Sequence, residues 1–162
     1  MRRFWLLTNL LFLAAPIAVG QTKISGTESC GKPTSQQALN VGDQPNHMIA
    51  IEQANCTWPK PMEIAGVQIK ESISTDFSDT SGTISRVRGY DIGTMTNGDK
   101  YHVRFQGTAT LKQGVPQTSG GTWSFLGGTG KLKDIKGKGT FKCSYADTGS
   151  TCEIEGEYEL PK

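Results

Sequence analysis

Two arginines and one glutamate interrupt apolar patterns in this chain, and they are the side chains best suited to bind a ligand. In the alternating segment 67–77, Glu71 stands on a face whose other positions carry Val, Ile, Thr and Phe. Arg86 and Arg88 alternate in phase with Tyr90. Guanidinium groups bind carboxylates through paired, charge-assisted hydrogen bonds, so a carboxylate or similar polar head of an apolar ligand is the expected partner. The predicted ligand-binding residues are Glu71, Arg86, Arg88 and Tyr90. The alternatives are an internal ion pair between the glutamate and one arginine, or arginines that emerge at the rim of the fold.

No catalytic or metal-binding signature accompanies these residues. The glycine-rich run 127–131 departs from the phosphate-binding loop, because Phe125 occupies a required glycine position and Leu132 follows the lysine in place of Ser or Thr. It is interpreted as a corner between strands. His47 and His102 are too few and too scattered for a metal site, and no Gly-x-Ser-x-Gly elbow is present. We therefore predict no catalytic residue, no metal and no cofactor.

The 4 cysteines are expected to form two disulfides. The chain contains no Cys-x-x-Cys pair, which argues against a zinc site. If Cys143 pairs with Cys152 across a hairpin, Cys30 and Cys56 remain for the second bond. That second bond would attach the N-terminal segment to the first strand.

The C-terminal segment predicts an antiparallel hairpin in one register. Pairing the cysteines at 143 and 152 places lysines opposite glutamates on one face and small or apolar residues opposite each other on the other face. The predicted pairs are Lys142 with Glu153, Phe141 with Ile154, Gly139 with Gly156, Lys138 with Glu157 and Lys136 with Glu159.

A second hairpin is predicted around Asn97-Gly98, since this dipeptide suits a two-residue turn with positive φ angles. That turn would pair Tyr90 with Phe105 and Ile92 with Val103, and would direct these side chains to the same face. Arg88 and Arg86 would then oppose the small residues Gly107 and Ala109, with space above them.

The remaining pattern is one of strands separated by turns, with no amphipathic helix. Long strands with meander connections predict a single antiparallel β-barrel, because closure removes exposed edges; the alternative is a two-sheet β-sandwich. The predicted organisation is a signal peptide at residues 1–20, an extended or poorly ordered leader at 21–45, and a barrel domain at 46–162.

The first 20 residues have the features of an export signal: Arg2 and Arg3, an apolar run, and small residues before Gln21. Removing the two arginines from 17 Lys and Arg leaves 15, equal to the 15 Asp and Glu. This balance argues against nucleic-acid binding. The sequence therefore predicts a secreted or periplasmic protein without a membrane anchor after cleavage.

The run GTWSFLGGTGKLKDIKGKGTF at residues 121–141 resembles the hallmark of exported bacterial proteins with an allene oxide cyclase-like or dirigent-like barrel. The resemblance implies about eight antiparallel strands around a central cavity, in families that cyclise or steer reactive hydrophobic molecules or have no assigned role. No catalytic residue of the plant enzymes matches this chain, so the resemblance carries the fold and not the activity.

Three functions are compatible with these features. Binding of a small hydrophobic or amphipathic molecule in the cavity is the first. A cyclase or isomerase of the same barrel family is the second, with Glu71 as the one inward carboxylate that could act as acid or base. An envelope protein that binds another protein through its outer face is the third.

Overall fold

The computed structural model describes residues 21–161, so the predicted signal peptide lies outside the described residues. This part of the chain forms ten strands and one short 3-10 helix, Gly130–Leu132. The strands are β1 (Thr22–Cys30), β2 (Ser35–Asn40), β3 (His47–Lys60), β4 (Glu63–Ile64), β5 (Val67–Ser81), β6 (Ile84–Met95), β7 (Lys100–Lys112), β8 (Val115–Gly128), β9 (Lys136–Ala146) and β10 (Gly149–Glu159).

Eight of these strands close into an antiparallel barrel, as the sequence predicted. From β3 the neighbours run through β1, β10, β9, β8, β7, β6 and β5, and β5 pairs with β3 to complete the ring. The two remaining strands are additions: β2 pairs with the first half of β3, and β4 pairs with the start of β5. Closure leaves the eight main strands with hydrogen-bonded neighbours on both sides.

The hairpin of β9 and β10 has the predicted register. Cys143 is opposite Cys152, Lys142 is opposite Glu153, and Gly139 is opposite Gly156. The charged pairs lie on the outer face. The glycine pair lies against the indole of Trp123, which would be only 2.4 Å from a Cβ at position 156. The glycines are therefore required for the close approach of this buried ring.

Residues 21–45, expected to be an extended or poorly ordered leader, contribute two strands. Strand β1 is a full member of the barrel, paired with β10 from Thr22 to Cys30 and with the end of β3. Ile24 and Glu28 on this strand are buried. The apolar period is weak here because the inward positions of β1 are Ile24, Gly26 and Glu28, of which only the first is a large apolar residue.

The register predicted for β6 and β7 is wrong by one residue. Tyr90 is opposite Arg104, and Asp91 is opposite Val103. Gly98 N donates to Met95 O over 3.0 Å, and Gly98 has a φ of 88°. Asn97 and Gly98 therefore occupy the end of a three-residue loop instead of the centre of a two-residue turn. Since side chains alternate between faces, this shift exchanges the inner and outer faces of β6, whereas β7 keeps Val103 on the inner face as predicted.

One end of the barrel is sealed by apolar packing. Ile64, Ile69, Met95 and Tyr101 are at most 2% exposed. Gly93 makes the packing possible, because a Cβ there would lie 1.9 Å from the Tyr101 ring. The other buried members of this core are Ile24, Trp58, Met62, Val103, Trp123, Phe125, Leu132, Ile135 and Tyr158.

Both predicted disulfides are present. Cys143 is bonded to Cys152, and Cys30 is bonded to Cys56. The second bond joins β1 to β3, and the first crosslinks the β9–β10 hairpin. Such bonds fit an oxidising environment, extracellular or periplasmic. Within residues 21–161, no helix has the length and apolar character needed to cross a membrane.

Candidate binding cavity

The barrel encloses a cavity of about 910 Å³ between the sealed end and the opposite turns. Gly82 and Thr83 between β5 and β6, Gly114 between β7 and β8, and Asp147 between β9 and β10 line its open end. At the other end, the deepest lining residues are Trp58, Met62 and Tyr101. The volume falls in the range of small-molecule sites, which is roughly 300–1,000 Å³.

The four residues predicted to bind a ligand are all on the outer face. Tyr90 is 60% exposed, and Arg86, Arg88 and Glu71 are also exposed. None of them lines the cavity that the described residues enclose. Arg88 lies over the Phe77 ring at 4.9 Å from its centroid, and the Glu71 carboxylate is 3.5 Å from the Lys70 amine. The placement predicted for this group inside the barrel is therefore wrong.

Two local irregularities explain the error. On β6, the three-residue loop at Gly98 shifts the pairing by one residue, so Tyr90 and both arginines point outward. On β5, a bulge between Ile69 and Glu71 inserts one extra residue. Ile69 and Ser72 both point inward, and every side chain beyond the bulge has the opposite phase from that predicted.

The interior carries a different polar group, built around two carboxyls. Glu28 on β1 and Asp91 on β6 are 8% and 7% exposed, and both line the cavity. Trp58 Nε1 donates to Ser72 Oγ over 3.3 Å, and Ser72 Oγ donates to Glu28 Oε1 over 2.5 Å. The Tyr101 hydroxyl donates to Asp91 Oδ1 over 3.0 Å. We call Glu28 and Asp91 the acid pair.

The acid pair retains protons more strongly than ordinary carboxyls. Burial raises the pKa of Glu28. Burial, and then the charge of Glu28, raise the pKa of Asp91 well above its usual range. The two carboxyls are close enough for each to change the pKa of the other. Among the described residues, neither forms an ion pair with a lysine or arginine. Two buried acids without a cation must share or hold protons.

Asp91 also has an oxygen with no partner. Its Oδ2 atom is buried and receives no hydrogen bond from any described residue. A buried carboxyl oxygen is normally hydrogen-bonded. A proton on Glu28 or a donor group on a ligand would satisfy it.

Acidic groups continue toward the open end. Burial, and then the nearby charge of Glu52, raise the pKa of Asp76 to about 6. Lys32 is the one basic residue in the lining of the described cavity. The acidic residues that line it are Glu28, Glu52, Asp76, Asp91 and Asp147. The lining therefore has an excess of acidic over basic residues, the opposite of the arginine-rich lining that was predicted, and it is unsuited to a carboxylate ligand.

Side-chain hydrogen bonds hold the connection between β2 and β3 beside the open end. His47 Nδ1 is 2.5 Å from Asp43 Oδ1, and His47 Nε2 is 3.0 Å from Asp79 Oδ1. The hydrogen bonds to Asp43 and Asp79 raise the pKa of His47. Gln44 Nε2 donates to Ser81 Oγ over 3.0 Å. These contacts connect the loop to the end of β5.

A cluster of possible metal ligands in the described residues does not fit a metal. Glu28 lies near the sulfur atoms of Cys30 and Cys56. Both thiols are consumed by the disulfide, so neither supplies the thiolate that metal binding requires.

A second concavity, of about 1110 Å³, lies over β7 to β10 and β1. Its charged side chains, among them Lys23, Arg104 and Lys138, are exposed. The interior cavity is the better candidate, because two of its carboxyls, Glu28 and Asp91, are buried and have no cationic partner among the described residues.

Sequence reasoning missed the acid pair for identifiable reasons. Glu28 lies in the segment interpreted as a leader. The predicted register turns Tyr90 and Ile92 inward, which would place Asp91, between them, on the outer face. The signal that could have found them is the inward phase of β5 beyond the bulge, where Ser72, Ser74, Asp76, Ser78 and Thr80 form a polar row.

Comparison with known proteins found no family model that matches the chain and no curated relative of significant similarity. The cavity geometry therefore carries the functional argument.

Proposed function

We propose that this protein binds a small amphipathic organic molecule inside its barrel, and that it does so after export. The observation that carries the proposal is a cavity of about 910 Å³ that is sealed by packed apolar residues at one end and open between turns at the other. A closed floor and an open mouth define a container for one small ligand.

The lining supports an amphipathic occupant. Aromatic rings from four strands face the cavity and offer apolar contact area; they are Trp58, Tyr101, Phe105, Trp123, Phe141 and Tyr145. The polar row of β5 and the acid pair face the same space. Ligand sites commonly combine a mostly apolar wall with a few polar groups that fix orientation.

The export proposal is supported by the charged and apolar pattern of residues 1–20 and by the two disulfides. The resemblance of residues 121–141 to allene oxide cyclase-like or dirigent-like proteins is compatible with a cavity that holds hydrophobic molecules.

The proposal is tested with two tryptophan variants at adjacent positions of β3. Ala54 faces the cavity, whereas Asn55 is exposed on the outer face. Ala54→Trp should fill part of the cavity and Asn55→Trp should not. Titration with the neutral fluorescent probe N-phenyl-1-naphthylamine should show binding to the parent protein and to Asn55→Trp. Binding to Ala54→Trp should be at least tenfold weaker.

Native mass spectrometry of the exported protein provides the second readout. A retained small molecule should be present in the parent and in Asn55→Trp and reduced in Ala54→Trp. Equal probe binding by both variants, with both folded by circular dichroism, would place the binding outside the cavity and contradict the proposal.

A second candidate function is an isomerase or cyclase, and the acid pair favours it. A pair of carboxyls that holds one proton offers an acid and a base in the same site. Glu28 and Asp91 fulfil that requirement, whereas Glu71, the sequence-based candidate, faces outward.

This candidate is tested by proton exchange on a ketone that fits the cavity. With 2-tetralone in D₂O, a carboxylate would remove a proton next to the carbonyl, and the enol would then take a deuteron. Catalysed deuterium incorporation that Asp91→Asn abolishes would support an isomerase. Exchange at the uncatalysed rate would contradict the isomerase function, and binding would then be the one function that remains proposed.

A further inference from the structure

The cavity floor combines aromatic walls with two buried carboxyls that have no cationic partner within residues 21–161. The acid pair lies at the deep end, where Trp58 and Tyr101 are 7% and 2% exposed. Asp91 is itself 7% exposed, lines the cavity, and has Oδ2 without a partner among the described residues. An unpaired buried acceptor beside a second acid demands a donor or a cation.

We propose that the ligand is an organic cation, a protonated amine attached to an apolar or aromatic body, whose ammonium group is bound by the acid pair. The inference rests on the proposed binding function and names its ligand class. An ammonium N–H would donate to Asp91 Oδ2, and the faces of the nearby aromatic rings would stabilise the positive charge.

The residues between the floor and the open end of the cavity also favour a positively charged ligand. Glu52 and Asp76 lie between the floor and the open end, and Lys32 is the single basic residue along the described lining. A negative cavity with low-dielectric walls concentrates cations and repels anions. A carboxylate ligand would bring another acid next to two buried carboxyls and would find no cation of the described chain there to pair with.

Cation binding must also displace protons. Because burial raises the pKa of both members of the acid pair, the empty site holds protons that an ammonium group would replace. Affinity should therefore increase with pH, by up to tenfold per pH unit for one proton released. The titratable residues that line the same cavity as the acid pair are Lys32, Glu52, Asp76, Tyr101, Tyr145 and Asp147.

The test compares three naphthalene probes that differ only in their head groups. They are 1-naphthylmethylamine, which is a cation at neutral pH, the neutral 1-naphthylmethanol, and the anion 1-naphthylacetate. Isothermal titration calorimetry at pH 7 should show the amine binding at least tenfold more tightly than the alcohol, with the acetate weakest. Titrations in two buffers of different ionisation enthalpy should show net proton release on binding of the amine.

Asp91→Asn and Glu28→Gln should each weaken amine binding by tenfold or more and leave alcohol binding within threefold. The alcohol thereby reports that each variant retains its cavity. Glu71→Gln, on the exposed outer face, is the matched control and should bind all three probes as the parent does.

The outcomes separate this inference from the function on which it rests. If none of the three probes nor N-phenyl-1-naphthylamine binds, the proposed function itself fails. If the alcohol binds as tightly as the amine, and Ala54→Trp prevents both, the cavity function stands and the cation inference is overturned. Amine binding without proton release, unchanged by Asp91→Asn, would also overturn it.

Discussion

The two ends of the barrel are stabilised in different ways, although the same strands run through both. At the closed end, Ile69 and Met95 are each 2% exposed within a continuous apolar core. Toward the open end, the inward positions of β5 carry Ser74, Asp76 and Ser78, which line a cavity instead of packing against one another. Covalent bonds compensate: Cys30, Cys143 and Cys152 all line this part of the barrel.

The difference teaches where function can reside in this fold. Packed apolar residues hold the closed end in one arrangement and leave no space. The open end lacks that packing and has a polar interior. Disulfides and hydrogen bonds stabilise it instead of apolar contacts. The acid pair lies at the boundary, deep enough to be desolvated and still in contact with the cavity.

The largest expected effect is the loss of stability when an inward side chain of β5 is truncated, compared with the loss for an outward side chain of the same strand. Ile69→Ala should lower the free energy of unfolding by about 2 to 5 kcal/mol, because it leaves a hole in the closed end. Ile73→Ala is the matched control, since Ile73 is 45% exposed on the outer face of the same strand. Its cost should be below about 1 kcal/mol. Urea denaturation measures both, and equal losses would contradict the sealed end.

Removing a disulfide, which crosslinks strands toward the open end, should lower the free energy of unfolding by nearly as much. Replacing Cys30 and Cys56, which are 26 residues apart, by alanine should cost about 3 to 4 kcal/mol. Replacing Cys143 and Cys152, 9 residues apart, should cost about 2 to 3 kcal/mol because the closed loop is shorter. Thermal unfolding of the two double variants gives the order. Peptide mapping that linked Cys143 to Cys30 or Cys56 would overturn the strand order.

Asp76 should make the open end sensitive to pH. Its pKa is raised to about 6 in the folded protein, from an ordinary value of 3.8. The folded state therefore holds this proton more tightly, so the contribution of Asp76 to stability is fully present below pH 4 and is lost as the pH rises through about 6. Asp76→Asn removes that loss.

The measurement for Asp76 is the difference in unfolding free energy between variant and parent at two pH values. Asp76→Asn should gain about 2 to 3 kcal/mol relative to the parent between pH 3.5 and pH 7.5. Glu71→Gln, outside the barrel, should show a change below about 0.5 kcal/mol. A difference for Asp76→Asn that does not vary with pH would show that the carboxyl is not buried in the cavity wall.

The smallest effect concerns the loop between β6 and β7. Gly98 has a φ of 88°, and no atom lies within 4 Å of a Cβ placed there. Gly98→Val should therefore cost roughly 1 kcal/mol or more through backbone strain alone. Gly98→Asn should cost less, since Asn tolerates this conformation. Equal melting temperatures for the two variants would argue against the positive φ angle.

The sequence predicted the β9–β10 hairpin and not the β6–β7 hairpin for a physical reason. In the first, a disulfide and the Lys142 to Glu153 charge pair all require one register. In the second, Asn97-Gly98 is compatible with turns of two lengths, and both faces carry apolar residues. Ile92 is 45% exposed on the outside while Val103 is buried on the inside. Alternation alone could not identify the inner face.

The barrel itself was predictable because strand length, turn signals and closure all favour it. The site was not, because a single bulge after Ile69 and a single extra loop residue each reverse a strand. Inward-facing positions are usually recognised because they are apolar. The lining of a cavity need not be apolar, so this criterion does not apply here. The alternating polar residues from Ser72 to Thr80 are the one sequence feature that indicates the cavity.

The most direct test of this account is the ionisation of the acid pair, followed by ¹³C NMR of the side-chain carboxyls across pH. The account predicts that Asp91 and Glu28 titrate well above the usual carboxyl range, in coupled steps, because both are buried together at the cavity floor. Glu28→Gln should lower the titration midpoint of Asp91, since the neighbouring charge that raises the pKa of Asp91 is removed. Independent titration of Asp91 in the ordinary carboxyl range would place it in solvent and contradict the inward register of β6.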